Sequence, residues 1–515
     1  MKLLYIPLDE RPCNFYYPQM IATLQPDVQL IVPPLELLGQ KKKSANIDRL
    51  WDWVLENVTH CQMALLSIEM LVYGGLLPSR LHHESIKTLT ERLHNICTLK
   101  TQHPQLEIFA SNLIMRTPAY SSSEEEPDYY EEHGAFIFQW GWLRDKRDRI
   151  GLTPPEQTQF NQLQQSLPIE LLQDYQDRRT RNLAINLESV ALVKEGILSF
   201  LSIPQDDSAP YGFTAIDQRQ VAGQVREMRL QQKVHLYPGA DEVGCTLLAR
   251  AYSQLQNKTT KIYVFYSSVC SEQIVPLYED RPLGESVKAH ILAAGAQRVA
   301  IPEAADVVLA VNTAGQVMQE SWDQVNKDIT YSSFRNLRAF VVEIDRLEKL
   351  GKRVAIADTA FANGGETEFI EMLDDAALWD SMLAYVGWNT SCNTLGTVLA
   401  TAILGLNSEN EEAITFNKIY HLLEGWAYQA IVRMETVHHY LPTVGASYYD
   451  FNQQDELILN TIAEHMLAIW QATLKQSFTQ WNIEKLAVFA PWQRMFEMGL
   501  HLEISPQSGG LATEP

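Results

Sequence analysis

Cysteine is scarce in this sequence, and no two cysteines stand close together. The 515 residues include six of them, at positions 13, 61, 97, 245, 270 and 392. This scatter argues against a disulfide framework and against a zinc knuckle, both of which need closely spaced pairs. It suits a reducing compartment, so we expect a cytoplasmic protein.

Long hydrophobic runs are also missing. No stretch approaches the roughly 20 apolar residues that a membrane-spanning helix requires. The apolar run at the N-terminus, in MKLLYIPLDERPCN, ends at Asp9 and is too short for the core of a signal peptide. The net charge is −22, which disfavours binding to phosphate backbones and anionic lipid. We therefore predict neither a nucleic-acid nor a membrane partner.

The familiar cofactor and nucleophile motifs are absent as well. The sequence has no GxGxxG after its first strand, no GxxxxGK[ST] and no GxSxG. Its adjacent histidine pairs, His82-His83 and His438-His439, do not have the i, i+4 spacing of a zinc-binding helix face. We predict no cofactor, with a divalent metal kept as an alternative.

What the sequence does contain is an alternation of short apolar strands with amphipathic helices, which predicts βαβ units and mainly parallel sheet. The ten candidate strands are Leu3–Pro7, Val28–Val32, Met63–Ile68, Leu106–Ala110, Ile197–Ile203, Val234–Tyr237, Ile262–Tyr266, Val307–Val311, Val354–Ala357 and Leu383–Val386. This pattern favours an α/β fold of two lobes over the alternative, a decorated (β/α)8-like barrel, because ten strands exceed the eight of a barrel.

Two segments interrupt the alternation and suggest the domain limits. Residues from about 120 to 196 are predicted to form a helical insertion in an N-terminal lobe that covers residues 1–230. A second lobe covers residues 231–405. Long helical patterns after that point predict a C-terminal helical unit at residues 406–515.

Polar clusters recur directly after the predicted strands, and in parallel α/β proteins such loops converge on one crevice. Candidate substrate-binding residues from these clusters are Glu10, Arg11, Asn14, Glu69, Tyr73, Arg80, Asp206, Tyr211, Asn363, Trp388, Asn389 and Asn393. Candidate catalytic residues are Asp9, Asp207, Asp241, Glu242 and Asp358. A single Asp or Asn after a strand is also the ordinary cap of the next helix. The recurrence of six clusters favours a site.

These clusters carry a resemblance to a known family. The segments PLDERPCN, YGGLLPSR, QDDSAPYG, PGADEVG, IADTAFANGG and GWNTSCNTLG, taken together and in this order, resemble the bacterial domain-of-unknown-function family 4127. The resemblance implies no activity. It implies that these loops are the functional part of the chain.

Asp241 and Glu242 are the candidates for proton transfer, because adjacent residues at a strand end point in different directions. The turn that contains them resembles the Gly-Gly-Asp-Glu turn of exo-β-hexosaminidases, in which the Glu is the general acid and the Asp positions the substrate. That resemblance implies the same roles for Glu242 and Asp241. The structural alternative is that Asp241 caps the helix that begins at Val243.

More than one interpretation is open for most of the remaining candidates. Asp206 and Asp207 suit either a sugar or a hard cation such as Mg²⁺. Arg11, Arg80 and Arg116 can hold a polar ligand or form an internal ion-pair network. Trp388 can stack on a sugar or belong to the core. The acidic run Glu124–Glu126 is interpreted as solvated surface.

Three functions are compatible with these candidate residues. The first is a hydrolase of a glycan or sugar derivative, with Glu242 as acid, Asp241 orienting the substrate, and Asp9, Asp207 or Asp358 as second carboxylate. The separation of the two carboxyl groups, about 5 Å or about 6.5–9.5 Å, would distinguish retention from inversion. The second is a metal-dependent enzyme using Asp206, Asp207, Glu242 and Asp358. The third is a non-catalytic sugar or metabolite sensor. The partner in each case is a small molecule or glycan, and homo-oligomerisation is left open.

Overall fold

The computed structural model describes residues 1–507 and divides the chain into two compact units. The first unit comprises Met1–Lys258 and Tyr278–Gly295. The second comprises Thr259–Leu277 and the chain from Ala296 onward. The boundaries predicted at residues 230 and 405 do not coincide with this division, because the first unit continues to Lys258 and the C-terminal segment belongs to the second.

The first unit is built on a six-stranded parallel sheet with the order β2-β1-β3-β4-β5-β6. The strands are β1 (Lys2–Ile6), β2 (Gln29–Ile31), β3 (Met63–Ser67), β4 (Glu107–Ser111), β5 (Phe200–Gln205) and β6 (Val234–Pro238). All residues of β3 and β5 are buried, as expected for parallel strands covered on both faces. The chain leaves β1 towards β2 on one side and continues at β3 on the other. The topological switch point of this sheet therefore lies between β1 and β3.

Ten α-helices accompany this sheet. They are α1 (Pro12–Ala22), α2 (Ile47–Asn57), α3 (Leu76–Leu81), α4 (Ile86–Gln102), α5 (Tyr130–Ile150), α6 (Pro154–Ser166), α7 (Ile169–Lys194), α8 (Phe213–Glu227), α9 (Val243–Leu255) and α10 (Leu283–Ala293). Helices α5, α6 and α7 lie between β4 and β5, in the segment from about 120 to 196 for which an insertion is predicted. An aromatic cluster that includes Tyr130, Trp140, Phe160, Tyr175 and Phe213 gives this region a core of its own.

The second unit contains a five-stranded parallel sheet with the order β11-β10-β9-β7-β8 and a two-stranded antiparallel sheet. Its strands are β7 (Lys261–Tyr266), β8 (Gln297–Val299), β9 (Val307–Thr313), β10 (Arg353–Thr359), β11 (Ala384–Val386), β12 (Trp481–Phe489) and β13 (Gly499–Pro506). Its α-helices are α11 (Thr330–Ser333), α12 (Leu337–Lys349), α13 (Thr367–Asp375), α14 (Ser391–Gly405), α15 (Glu411–Leu422), α16 (Arg433–Glu435) and α17 (Asp455–Thr473). Two π-helical segments, Leu423–Val432 and Thr436–Tyr440, flank α16.

The predicted α/β class with parallel strands in two lobes and a C-terminal helical region is confirmed, and no sheet within residues 1–507 closes into a barrel. Each of the ten predicted strands overlaps an observed one. Strand β8 and the hairpin β12–β13 have no counterpart in the prediction. Within the described part of the chain, no helix has the length and apolar character needed to cross a membrane.

Candidate functional site

Arg11 joins the carboxylate of Asp9, two residues before it, to that of Asp241, 230 residues after it. Its guanidinium donates to Asp9 Oδ2 at 2.7 Å and to Asp241 Oδ1 at 2.5 Å, both from the same nitrogen. The Asn14 amide bridges the same pair, at 2.9 Å from Asp9 and 3.3 Å from Asp241. Because all four side chains are buried, they hold the loop after β1 and the loop after β6 in a fixed relation.

Glu242 lies directly beside this pair and has a different environment. Its side chain is completely buried, and one carboxyl oxygen accepts the Ala240 amide at 2.8 Å. The other oxygen, Oε1, has no hydrogen-bond partner among the described residues. Burial, reinforced by the charge of Asp241, raises the pKa of Glu242 to about 8, so the group carries a proton at neutral pH.

The turn before Glu242 is shaped to accommodate its carboxyl group. Gly239 has a φ of +151°, and a β-carbon at this position would lie 2.2 Å from Glu242 Oε1. A glycine is required on both counts. Glu242, not Asp241, is the residue at the N-cap of α9, and it makes no side-chain capping bond. The alternative interpretation of Asp241 as a helix cap is therefore wrong, because its carboxylate binds Arg11 instead.

The side chain of Glu10 contacts a different residue from the one that Asp9 contacts. Its carboxylate accepts the backbone N–H of Lys41 at 2.7 Å, and the Lys41 ammonium lies 2.5 Å from Glu124. This chain of contacts connects the loop after β1 with the acidic run in the insertion.

The acidic run meets two arginines that follow β3 and β4. Arg80 contacts Glu125 at 2.9 Å and Asp206 at 2.6 Å. Arg116 contacts Glu126 at 2.8 Å and Asp207 at 3.2 Å. The prediction that Glu124–Glu126 is solvated surface is wrong for Glu126, whose side chain is 1% exposed because the arginines draw it inward.

Asp206 and Asp207 are thus engaged with arginines, whereas the alternative of a metal-dependent enzyme would have them bind a cation. Burial raises the pKa of Asp207 to about 6, against the lowering effect of Arg116. Within residues 1–507, no three His, Cys, Asp or Glu side chains converge as metal ligands would.

Glu69 and Tyr73 line a small cavity together with Arg80, Asn112 and Asp206. Glu69 Oε1 accepts the Asn112 side-chain amide at 2.8 Å and the Leu113 backbone N–H at 2.7 Å. Burial raises the pKa of Glu69 to about 7. Asn112 was not among the predicted residues. It is a polar residue directly after a strand, β4, and this is the pattern by which the other candidates were found.

Tyr211 packs against the helical insertion. Its ring meets Trp142 at 5.1 Å, and the Arg149 guanidinium lies over it at 4.8 Å. These contacts give Tyr211 a structural role beside its predicted place in substrate binding.

The second unit contains the other predicted residues, among them Asp358 at the end of β10. Its carboxylate accepts bonds from Asn312 at 2.9 Å, from the Glu366 backbone at 2.8 Å and from the Tyr385 hydroxyl at 3.3 Å. Burial and the nearby Glu366 raise the pKa of Asp358 to about 7. Glu366 forms a buried ion pair with Arg335, and neither residue was predicted.

Trp388 is buried, and several of its polar neighbours form backbone hydrogen bonds or cap a helix. Trp388 as a whole residue is 2% exposed, which leaves little open ring surface for the predicted stacking on a sugar. Asn389 and Asn363 both have positive φ and are joined by a backbone hydrogen bond of 2.9 Å. The Asn363 side chain donates to Glu320 at 2.9 Å. Asn393 lies in the first turn of α14, where its N–H is capped by Thr390.

The first unit thus defines an α/β protein with a buried carboxylate–arginine site at the carboxyl ends of parallel strands. The chain belongs to the family described as protein of unknown function (DUF4127), whose family model matches residues 3–501. The resemblance seen in the strand-end motifs is confirmed over nearly the whole chain. A comparison with curated proteins gave no match.

Proposed function

We propose that this protein is a hydrolase of a glycan or sugar derivative that works by carboxylate acid–base chemistry, with Glu242 as general acid. The observation that supports the proposal most directly is the buried Glu242 carboxyl group, protonated at neutral pH and with one oxygen unpartnered. A general acid must hold its proton at the working pH and give it to the leaving oxygen as the glycosidic bond breaks.

The pair of Asp9 and Asp241 supports the same chemistry in another way. Two carboxylates share one guanidinium, which leaves a net negative charge next to Glu242. Glycosidic cleavage proceeds through a transition state with oxocarbenium character, whose positive charge such a site would stabilise. Because both carboxylates are already bound by Arg11, we assign them to orientation and charge stabilisation.

The test is a panel of aryl glycosides with graded leaving groups, assayed with wild type and Glu242→Gln. We expect the variant to lose roughly 10²–10⁴-fold in kcat with poor leaving groups, which need a proton. It should lose much less with 2,4-dinitrophenyl glycosides, which do not. Glu188→Gln, an exposed carboxylate paired with His94, is the matched control and should behave as wild type.

Three outcomes would contradict the proposal. Turnover that is lost with chelator but persists in Glu242→Gln would favour a metal-dependent enzyme. Saturable binding of a sugar without any turnover would favour a sensor. An equal loss in kcat with all leaving groups would show that Glu242 has a role other than proton donation.

We also propose a cytoplasmic location, supported by the wide spacing of the six cysteines along the sequence. The acidic net charge of −22 supports a small-molecule or glycan partner in place of nucleic acid or a membrane.

A further inference from the structure

Arg433 is a buried arginine whose guanidinium has no partner in the fold. The residue is 4% exposed and follows directly on the π-helical segment Leu423–Val432. Its Nε is buried, and none of residues 1–507 accepts a hydrogen bond from the guanidinium or forms an ion pair with it. Arginine does not lose its charge in proteins, and a buried charge is stable only when it is paired and hydrogen-bonded. The fold itself therefore supplies no counter-ion to Arg433.

Two neighbouring side chains on the same stretch of helix are also incompletely bonded. Gln429 Oε1 and Thr436 Oγ1 are buried and have no hydrogen-bond partner in the part of the chain that the structure describes. Gln429 precedes Arg433 by four residues and Thr436 follows it by three, so the three side chains lie along one face of the helix. This face presents an amide oxygen, a guanidinium and a hydroxyl side by side.

The same face contacts a loop that contains a second arginine. The guanidinium carbon of Arg494 lies over the Phe496 ring, 4.9 Å from its centre, and that of Arg433 lies over the same ring at 5.9 Å. The Gln429 amide donates to the Phe496 carbonyl at 2.9 Å and joins the helix to the loop. Two guanidiniums that converge in this way are suited to bind a carboxylate or phosphate group.

The nearby carboxyl groups do not cancel this positive charge. Glu497 is already paired with Arg494 at 3.0 Å. Glu424 accepts the Gln429 amide at 2.8 Å. Burial, with a contribution from the charge of Glu497, raises the pKa of Glu424 to about 7, so this group is only partly ionised at neutral pH. The cluster is therefore net positive in a chain whose total charge is −22.

The backbone of the loop has an uncommon conformation. Trp492 and Gln493 have φ values of 58° and 53°, which residues other than glycine rarely adopt. Such conformations cost energy and occur most often at ligand clamps and active sites. The Tyr428 hydroxyl donates to the Met495 carbonyl at 2.5 Å, and this bond fixes the loop next to Arg494 against the helix.

We propose that Arg433 and Arg494 form a binding site for the oxyanion group of a small molecule, either a carboxylate or a phosphate. The guanidinium of Arg433 binds oxygens of this group, and the Thr436 hydroxyl donates to it. Gln429 Oε1 accepts from a hydroxyl of the same ligand. The ligand class is therefore a hydroxylated carboxylate or phosphate, such as a sugar acid or a sugar phosphate. The site lies within the second unit and does not involve Glu242, so it goes beyond the proposed function.

The test is isothermal titration calorimetry of the full chain with inorganic phosphate and with glucuronate, in chloride buffer of matched ionic strength. We expect wild type to bind at least one of them, and Arg433→Met to weaken this binding roughly 10–100-fold, as the loss of a charge-assisted hydrogen bond does. Arg433→Lys keeps the charge without the planar fork and should be intermediate. Binding of phosphate alone assigns a phosphoryl ligand, and binding of glucuronate alone assigns a sugar carboxylate.

The matched control is Arg346→Met, which removes an exposed arginine of the same unit that pairs with Glu343 at 2.7 Å. It should bind the probe as wild type does. Thermal melting in chloride buffer gives a second readout. Methionine keeps much of the apolar stem of Arg433 and removes its charge, so Arg433→Met should melt at or above the wild-type temperature.

Three results would overturn the inference. The first is that wild type binds neither probe, and the second is that Arg433→Met binds as tightly as wild type. The third is a marked fall in the melting temperature of Arg433→Met in chloride buffer, which would mean that the protein itself compensates the charge. The turnover of aryl glycosides is a separate measurement, so failure here leaves the proposed function untouched.

Discussion

At the scale of single residues, Arg11 is the centre of the candidate site. It is 4% exposed and binds two carboxylates that are 2% and 9% exposed at their side chains. Buried carboxylates are stable only when paired and hydrogen-bonded, so the geometry at Asp9 and Asp241 depends on this one guanidinium.

Replacing Arg11 with Met should therefore reduce both stability and activity. The change leaves two buried carboxylates without their cation, and we expect a loss of about 3–5 kcal/mol in the free energy of unfolding. Arg92, partly exposed and paired with Glu84, offers a matched control, and Arg92→Met should cost less than about 1 kcal/mol. Denaturant titration of the three proteins measures the difference. Equal stability of Arg11→Met and wild type would contradict the ion-pair geometry.

The sequence predicts most of these residues but not their partners. Polar residues after strands mark Asp9, Arg11, Asp241 and Glu242, because the carboxyl ends of parallel strands share one edge. That Arg11 reaches Asp241 depends on packing across 230 residues, which no local pattern contains. Trp388 shows the opposite case. Its polar neighbours suggested a site, but Thr390 caps a helix, and capping residues look the same in a sequence.

At the scale of elements, one carboxylate attaches the C-terminal hairpin to the second unit. Asp374, near the end of α13, accepts three successive backbone N–H groups from Lys475 at 2.8 Å, Gln476 at 3.0 Å and Ser477 at 3.0 Å. These residues connect α17 to β12. The bonds therefore set where the hairpin begins.

We expect Asp374→Ala to lower the free energy of unfolding by about 2–3 kcal/mol, because it removes three hydrogen bonds to a buried carboxylate, one of them from the buried residue Ser477. Hydrogen exchange should accelerate at residues 475–477. The neighbouring Asp375 is exposed, and Asp375→Ala should leave both quantities nearly unchanged. If the two variants exchange alike, Asp374 does not anchor the hairpin.

Some elements of this fold can be predicted from the sequence and others cannot. Helix α9 begins at Val243, as predicted, because its apolar residues recur at helical spacing directly after a turn. Strand β12, with the sequence WNIEKLAVF, was missed because most of its side chains are at least partly exposed and its pattern contains Glu484 and Lys485. Its pairing with β13 gives it a regular structure that burial alone would not indicate.

At the scale of the whole molecule, the protein holds several carboxyl groups whose pKa is raised by burial. Glu69, Asp358 and Glu424 each have a pKa of about 7, and Glu242 about 8. Unfolding returns each group to its ordinary, lower pKa and releases its proton into water. Each group therefore contributes stability that is fully present below the unfolded pKa and is lost as the pH rises towards the folded value.

The most direct measurement is the free energy of unfolding of wild type and Glu242→Gln between pH 5 and pH 8. If Glu242 holds its proton in the folded protein, wild type should lose about 1 kcal/mol per pH unit relative to the variant across this range. This result would establish the proton that a general acid needs, before any substrate is known. Stability curves that stay parallel over the whole range would show that Glu242 is ionised at neutral pH, and its assignment as the acid would be wrong.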